Sequence, residues 1–169
     1  MSQNKEQLFI ELINQNKGII YKVSKLYMDT PEDREDLMQE IKLRLWKSFE
    51  SFEGKSAFST WMYRVAINTA ITFFKNEKRQ PELVYVENKL ESVLDTGKNE
   101  KAEEQLKFFY KAVSTLGPVE KALVFYFMEG LPHRDIARLL GISENNARVK
   151  LSRTKEKLQE IIKHSHYEL

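Results

Sequence analysis

Apolar residues recur along this chain at spacings of three and four, without the two-residue alternation of a half-buried strand, and the pattern predicts an all-α protein. Leu8, Phe9, Leu12 and Ile13 form one stripe, resumed after Gly18 by Ile19, Ile20, Val23 and Tyr27, which predicts a first long helix with one buried face. Thr30-Pro31-Glu32-Asp33 predicts the next start. Thr30 can cap, Pro31 suits the first helical position, and the two acids suit the positive end of the helix dipole. That helix is expected to reach about Phe49, with Phe49, Phe52 and Gly54 closing it. Ser56 then caps a third helix, running through Trp61, Val65 and Ala66 to about Arg79.

Periodicity weakens between Gln80 and about Asn99, where Pro81, Asp95-Thr96-Gly97 and excess acid read as a linker, with Leu83 to Val86 able to pack locally. A second helical set follows, over 102–115, 118–129, 133–140 and 143–162. The expected organisation is two small helical domains, residues 1–80 and 102–169, joined by a flexible acidic linker over 81–101.

Arg134 to Ser143 followed by a basic helix reads as a helix-turn-helix. Ala137 is small where two helices cross, Gly141 can take the positive φ of a tight turn, and Ser143 can cap the second helix. Ile136, Leu139, Leu140, Ile142, Ala147 and Leu151 would share a core, leaving Glu144, Asn145, Arg148, Lys150, Ser152 and Arg153 for solvent or a major groove. An ordinary helical hairpin with a solvated charged face is the alternative. In the helix from Ser56, aromatic residues accompany Arg64 and Asn68 and a basic run from Lys75 to Arg79, the groups that capture of unpaired bases needs. Phe58, Trp61, Val65 and Phe73 are equally the stripe of a buried core, the commoner fate of helical aromatics. From Asp33 to Lys47, Leu37, Ile41 and Leu45 make one row while Met38, Leu43 and Trp46 widen the apolar surface beyond it. Such a helix either contacts a partner or is buried more deeply than average.

Charge sharpens this picture. The net charge of +2 is small, but residues 143–163 carry six basic against three acidic side chains, and residues 82–104 seven acidic against three basic. With no cysteine among 169 residues, disulfides, thiolate zinc sites and cysteine nucleophiles are excluded. The three histidines, His133, His164 and His166, fit no helical metal motif, and there is no phosphate-binding glycine loop. The expectation is therefore neither enzyme, metal nor cofactor. The amino terminus lacks an apolar signal core and no segment approaches the roughly 20 apolar residues of a membrane span, so a soluble cytoplasmic protein is expected.

In their order, these segments resemble the extracytoplasmic-function group of the sigma-70 family, over nearly the whole chain. Asp33-Arg34-Glu35-Asp36-Leu37-Met38-Gln39-Glu40 followed by Leu45-Trp46 is similar to the family segment that docks on the largest subunit of RNA polymerase, which implies roles for Asp33, Asp36, Leu37, Gln39, Glu40, Leu43 and Trp46. Phe58 to Ala70 is similar to the segment that melts and reads the minus-ten promoter element. By that likeness Phe58, Trp61, Arg64, Asn68, Lys75 and Arg79 would face DNA, with Asn68 beside a flipped-out base. Residues 116–158 are similar to the minus-thirty-five-binding domain, which implies DNA contacts from Asn145, Asn146, Arg148, Val149, Lys150, Ser152 and Arg153. Asn145-Asn146-Ala147-Arg148 departs from the Gly-Thr-Val pattern of many members, so promoter sequence does not transfer. The resemblance implies an alternative sigma factor that binds core RNA polymerase, recognises promoter DNA, promotes transcription initiation and is restrained by an anti-sigma factor. The rivals are a stand-alone helix-turn-helix regulator and a helical protein-binding adaptor.

Overall fold

The computed structural model describes residues 2–78 and 100–167, with side chains over 3–76 and 100–165. Among the described residues there are eight α-helices, one 3-10 turn and no strand. The chain divides into two compact units, Met1–Glu77 and Lys78–Leu169. The expected linker falls largely, and Leu83 to Val86 wholly, outside the described residues.

The first unit holds α1 (Ser2–Gln15), α2 (Lys17–Tyr27), α3 (Pro31–Ser48), a 3-10 turn (Phe49–Ser51) and α4 (Phe58–Lys78). The single long helix expected at the amino terminus is in fact two. The break lies at Asn16, not at Gly18: Asn16 leaves helical geometry at φ −123°, ψ 16°, and its Nδ2 donates to the Leu12 carbonyl at 2.9 Å. A short amide that bonds nearby backbone competes with the helix in this way. The break also ends the common stripe. Ile19, Ile20, Val23, Leu26 and Tyr27 are buried, whereas Leu8 is 49% exposed.

α3 begins as the sequence predicts, the Thr30 hydroxyl accepting from the Asp33 N–H at 3.1 Å with Pro31 in the first turn. Arg34 reaches back to the end of α2, its Nε donating to the Met28 carbonyl and its Nη2 to the Asp29 carbonyl, both at 3.0 Å. A cation thereby meets the carbonyl end of α2. Leu37, Ile41 and Leu45 are fully buried and pack α3 on α2.

α4 starts two residues after Ser56. Ala57 takes the position before the helix, accepting from the Trp61 N–H at 3.2 Å, and the Ser56 hydroxyl donates to the Ala57 carbonyl instead of capping. The buried row is Met62, Ala66, Ala70 and Phe74 with Ile67, while Phe58, Trp61, Val65 and Phe73 are only partly covered. The core face is thus rotated from the one expected: Ala66 and Ala70 lie in the buried row with Phe74, which meets Tyr27 edge-on at 6.1 Å.

The second unit holds α5 (Glu100–Ser114), α6 (Pro118–Met128), α7 (His133–Leu140) and α8 (Glu144–Tyr167). α6 is its centre, buried from Lys121 to Tyr126, and α8 packs against α5, α6 and α7. The α7–α8 junction forms as the spacing predicts. Gly141 adopts φ 67°, ψ 34°, the Ile142 N–H closes back on the Ala137 carbonyl at 3.0 Å, and the Ser143 hydroxyl accepts from the Asn146 N–H at 3.1 Å.

Candidate nucleic-acid and partner interfaces

On α8 the apolar stripe Ala147, Leu151 and Leu158, joined by Thr154, is buried against the unit. The helix is held by that one face, so the opposite face is open. Asn145, Asn146, Arg148, Lys150, Ser152 and Arg153 are all exposed, as is Val149 at 37%. Arg148 Nη2 lies 3.3 Å from Glu144 Oε1, one turn back, an exposed pair that solvent screens and that a phosphate can displace. The face therefore combines amides, hydroxyls and cations on a rigid helix whose first turn is capped and preceded by a tight turn.

Arg64 and Asn68 on α4 are exposed, and Lys75 lies further along the same side. The exposed Thr72, which donates to the Asn68 carbonyl at 3.0 Å, completes that row. It was not anticipated, although its spacing of four from Asn68 signals it. Phe58 and Trp61 belong to a different group. Their ring centroids are 5.3 Å apart, Phe52 lies 5.5 and 5.3 Å from them, and Phe49 lies 6.4 Å from both. Each is half-covered by these neighbours, so they steady the start of α4 while keeping some ring surface outward. Arg79 lies outside the described residues.

On α3, Asp36, Gln39, Leu43 and Trp46 are exposed, with Asp33 and Glu40 partly so. Leu37 is the correction. At 0% exposure it holds α3 to the core and presents nothing to a partner. The rows of this helix differ: Leu37, Ile41 and Leu45 are buried, while Leu43 is 44% and Trp46 42% exposed. Trp46 stands edge-on to Phe9 at 5.1 Å. Together with Ile10 and Glu6 the two rings line an open cleft of about 320 Å³, to which α1 contributes residues the sequence pattern had assigned to a buried stripe or left aside.

Among the described residues no group of three or more histidine, aspartate or glutamate side chains is arranged to hold a metal ion, and no helix is long and apolar enough to cross a membrane. One carboxylate is shifted on this side of the second unit. Burial raises the Glu120 pKa, but the Gly117 N–H, the Lys157 ammonium and the charge of Lys150 together outweigh it and hold the group below its ordinary value.

Comparison with known proteins follows the same division. Residues 12–80 match the family model for sigma-70 region 2, and residues 109–158 that for sigma-70 region 4. The ECF RNA polymerase sigma-E factor of Haemophilus influenzae is 30% identical over 139 residues, covering 75% of this chain and 73% of that protein. Among solved structures, the sigma factor RpoE in complex with the anti-sigma factor NepR, from Bartonella quintana, is similar in fold, with a TM-score of 0.65 at 20% identity over 96% of this chain and 98% of that one. CnrH, solved in complex with the cytosolic domain of CnrY, gives a TM-score of 0.67 at 15% identity over 94% and 90% of the two chains.

Proposed function

Because the chain belongs to the extracytoplasmic-function group of the sigma-70 family, we propose that its two units divide promoter recognition between them while the first also carries the polymerase contact. The protein is an RNA polymerase sigma factor, a transcription regulator that binds core polymerase and directs initiation at promoters. In the proposed division, residues 1–80 hold polymerase and the minus-ten element, residues 102–169 hold the minus-thirty-five element, and residues 81–101 join them.

Polymerase docks on the exposed face of α3, through Asp36, Gln39, Leu43 and Trp46 flanked by Asp33 and Glu40. Leu37 acts only by keeping that helix in place. On α4, Asn68 hydrogen-bonds an unpaired base while Arg64 and Lys75, with Arg79 beyond them, hold the strand. Phe58 and Trp61 support the start of that helix and offer ring surface for stacking. Unstacking a base costs a few kcal/mol, which these contacts offset without nucleotide hydrolysis by this chain. On α8, Arg148, Lys150 and Arg153 contact phosphates or guanine edges, and Asn145, Asn146, Val149 and Ser152 complete the major-groove face. Two weak DNA contacts on one scaffold raise each other's effective concentration, so the free chain binds promoters poorly and the polymerase-bound chain binds them well. The protein works in the cytoplasm with no cofactor. Two fold neighbours were solved in complexes, RpoE with the anti-sigma factor NepR and CnrH with the cytosolic domain of CnrY, and this supports an anti-sigma partner here.

The observation that carries the reading is the open face of α8, capped and presented by a tight turn, inside a family match that spans both units. It is tested by pull-down and in vitro transcription with bacterial core polymerase. Wild type binds core and starts transcripts at defined sites, Asp36→Arg loses core binding, and Asn68→Ala keeps core binding but loses strand opening. A wild-type chain that neither binds core nor initiates from any fragment of a genomic promoter library would overturn the proposal.

A further inference from the structure

Lys150, Arg153 and Lys157 follow one another on α8 at spacings of three and four, and all are exposed. By position they form one basic row. Their surroundings differ, because Lys157 Nζ donates to both carboxylate oxygens of Glu120, at 3.3 and 3.1 Å. The same carboxylate accepts the Gly117 N–H at 2.9 Å, the bond that closes the first turn of α6. Glu120 is therefore no mobile surface acid. The start of its own helix holds it in place, and it in turn holds Lys157.

We propose that Glu120 is a positioning residue that withdraws Lys157 from the DNA-facing row, so that the footprint of α8 ends at Arg153. This rests on the reading of α8 as the DNA-facing helix. A phosphate at Lys157 must displace a carboxylate that the Gly117 N–H holds in place, so this ammonium contributes little to phosphate neutralisation and counterion release. Lys150, which reaches Glu120 only through its charge, stays available to DNA.

The test uses polymerase holoenzyme assembled with the full chain, titrated with a promoter duplex and a scrambled duplex between about 50 and 200 mM salt. One phosphate contact contributes about 0.9 to the slope of log K against log salt, or about 3.5-fold in affinity over that fourfold range. Lys150→Gln should lose that increment and Lys157→Gln should lose little of it. Glu120→Gln keeps an oxygen for the Gly117 N–H but frees Lys157, so it should gain about one increment and reduce the preference for promoter over scrambled DNA. Circular dichroism melting of each variant identifies any that fails to fold, and Lys157→Gln, a surface change, carries the test if Glu120→Gln does. If Lys157→Gln loses as much slope as Lys150→Gln, the inference falls while the DNA-facing role of α8 survives. If neither lysine variant alters the slope, both fall.

Discussion

The turn between α7 and α8 hangs on one backbone conformation. Gly141 sits at φ 67°, ψ 34°, and a Cβ built there would meet no atom within 4 Å, so substituting it changes backbone energetics without a steric clash. An L-residue held in the left-handed region costs about 1–2 kcal/mol, and the stiffer unfolded chain of alanine recovers about 0.4–1 kcal/mol of it. Gly141→Ala should therefore destabilise the second unit by roughly 1 kcal/mol. Gly141→Asn should cost less, because asparagine visits this region readily, and Gly141→Val should cost more. For a unit of this size 1 kcal/mol corresponds to about 4–8 °C in Tm. The chain supplies its own control. Both tryptophans, Trp46 and Trp61, lie in the first unit, so tryptophan emission follows that unit and far-ultraviolet circular dichroism follows both. The expected result is a lowered transition by circular dichroism, ordered Val, Ala, Asn from most to least affected, with the fluorescence transition unmoved. An alanine variant as stable as wild type, or an asparagine variant no better than alanine, would refute the assignment of the cost to φ.

Leu37→Ala should cost about 2–5 kcal/mol as a truncation in a closed core, and it should shift the tryptophan transition. Trp46→Ala removes a partly covered ring that packs edge-on to Phe9, so it should lower the circular dichroism transition by less than Leu37→Ala does while weakening capture by core polymerase. Thr30→Ala should cost about 1 kcal/mol in the first unit and Thr30→Ser much less, read by urea titration, because only the hydroxyl that accepts from the Asp33 N–H is at stake. The folded-state pKa of Glu120 lies below its ordinary value, so its contribution to stability is present above that ordinary value and is lost as pH falls through the folded one. Glu120→Gln should flatten the acid limb of the stability–pH curve of the second unit as pH falls from the ordinary carboxylate value through the lowered one, and an unchanged limb would count against the pairing with Lys157.

Local features of this fold were legible because their physics is local. Thr30-Pro31-Glu32-Asp33 starts a helix through a hydroxyl and an N–H three residues apart, and Gly141 with Ser143 makes a turn and a cap within a few residues, so the residues that form each signal also spell it. The open face of α8 was legible for the same reason, since a stripe spaced three and four leaves the other side outside. The break at Asn16 was less so, because the amide that competes with the helix and the glycine that merely sits inside it carry similar weight on paper.

By itself, then, the sequence determined that the chain is helical, where most helices start and stop, and which residue types α3, α4 and α8 can present. Only the tertiary structure decided which row of each helix is spent on the core. Leu37 shares a helix and a motif with Trp46, yet one is sealed and the other open, and α4 buries Phe74 where Phe73 was equally apolar. Glu120 and Lys157 are 37 residues apart and meet only because α6 packs on α8. Hydrogen bonds within a turn depend on neighbours along the chain, but burial and ion pairing depend on neighbours in space, and these exist only after the helices have packed.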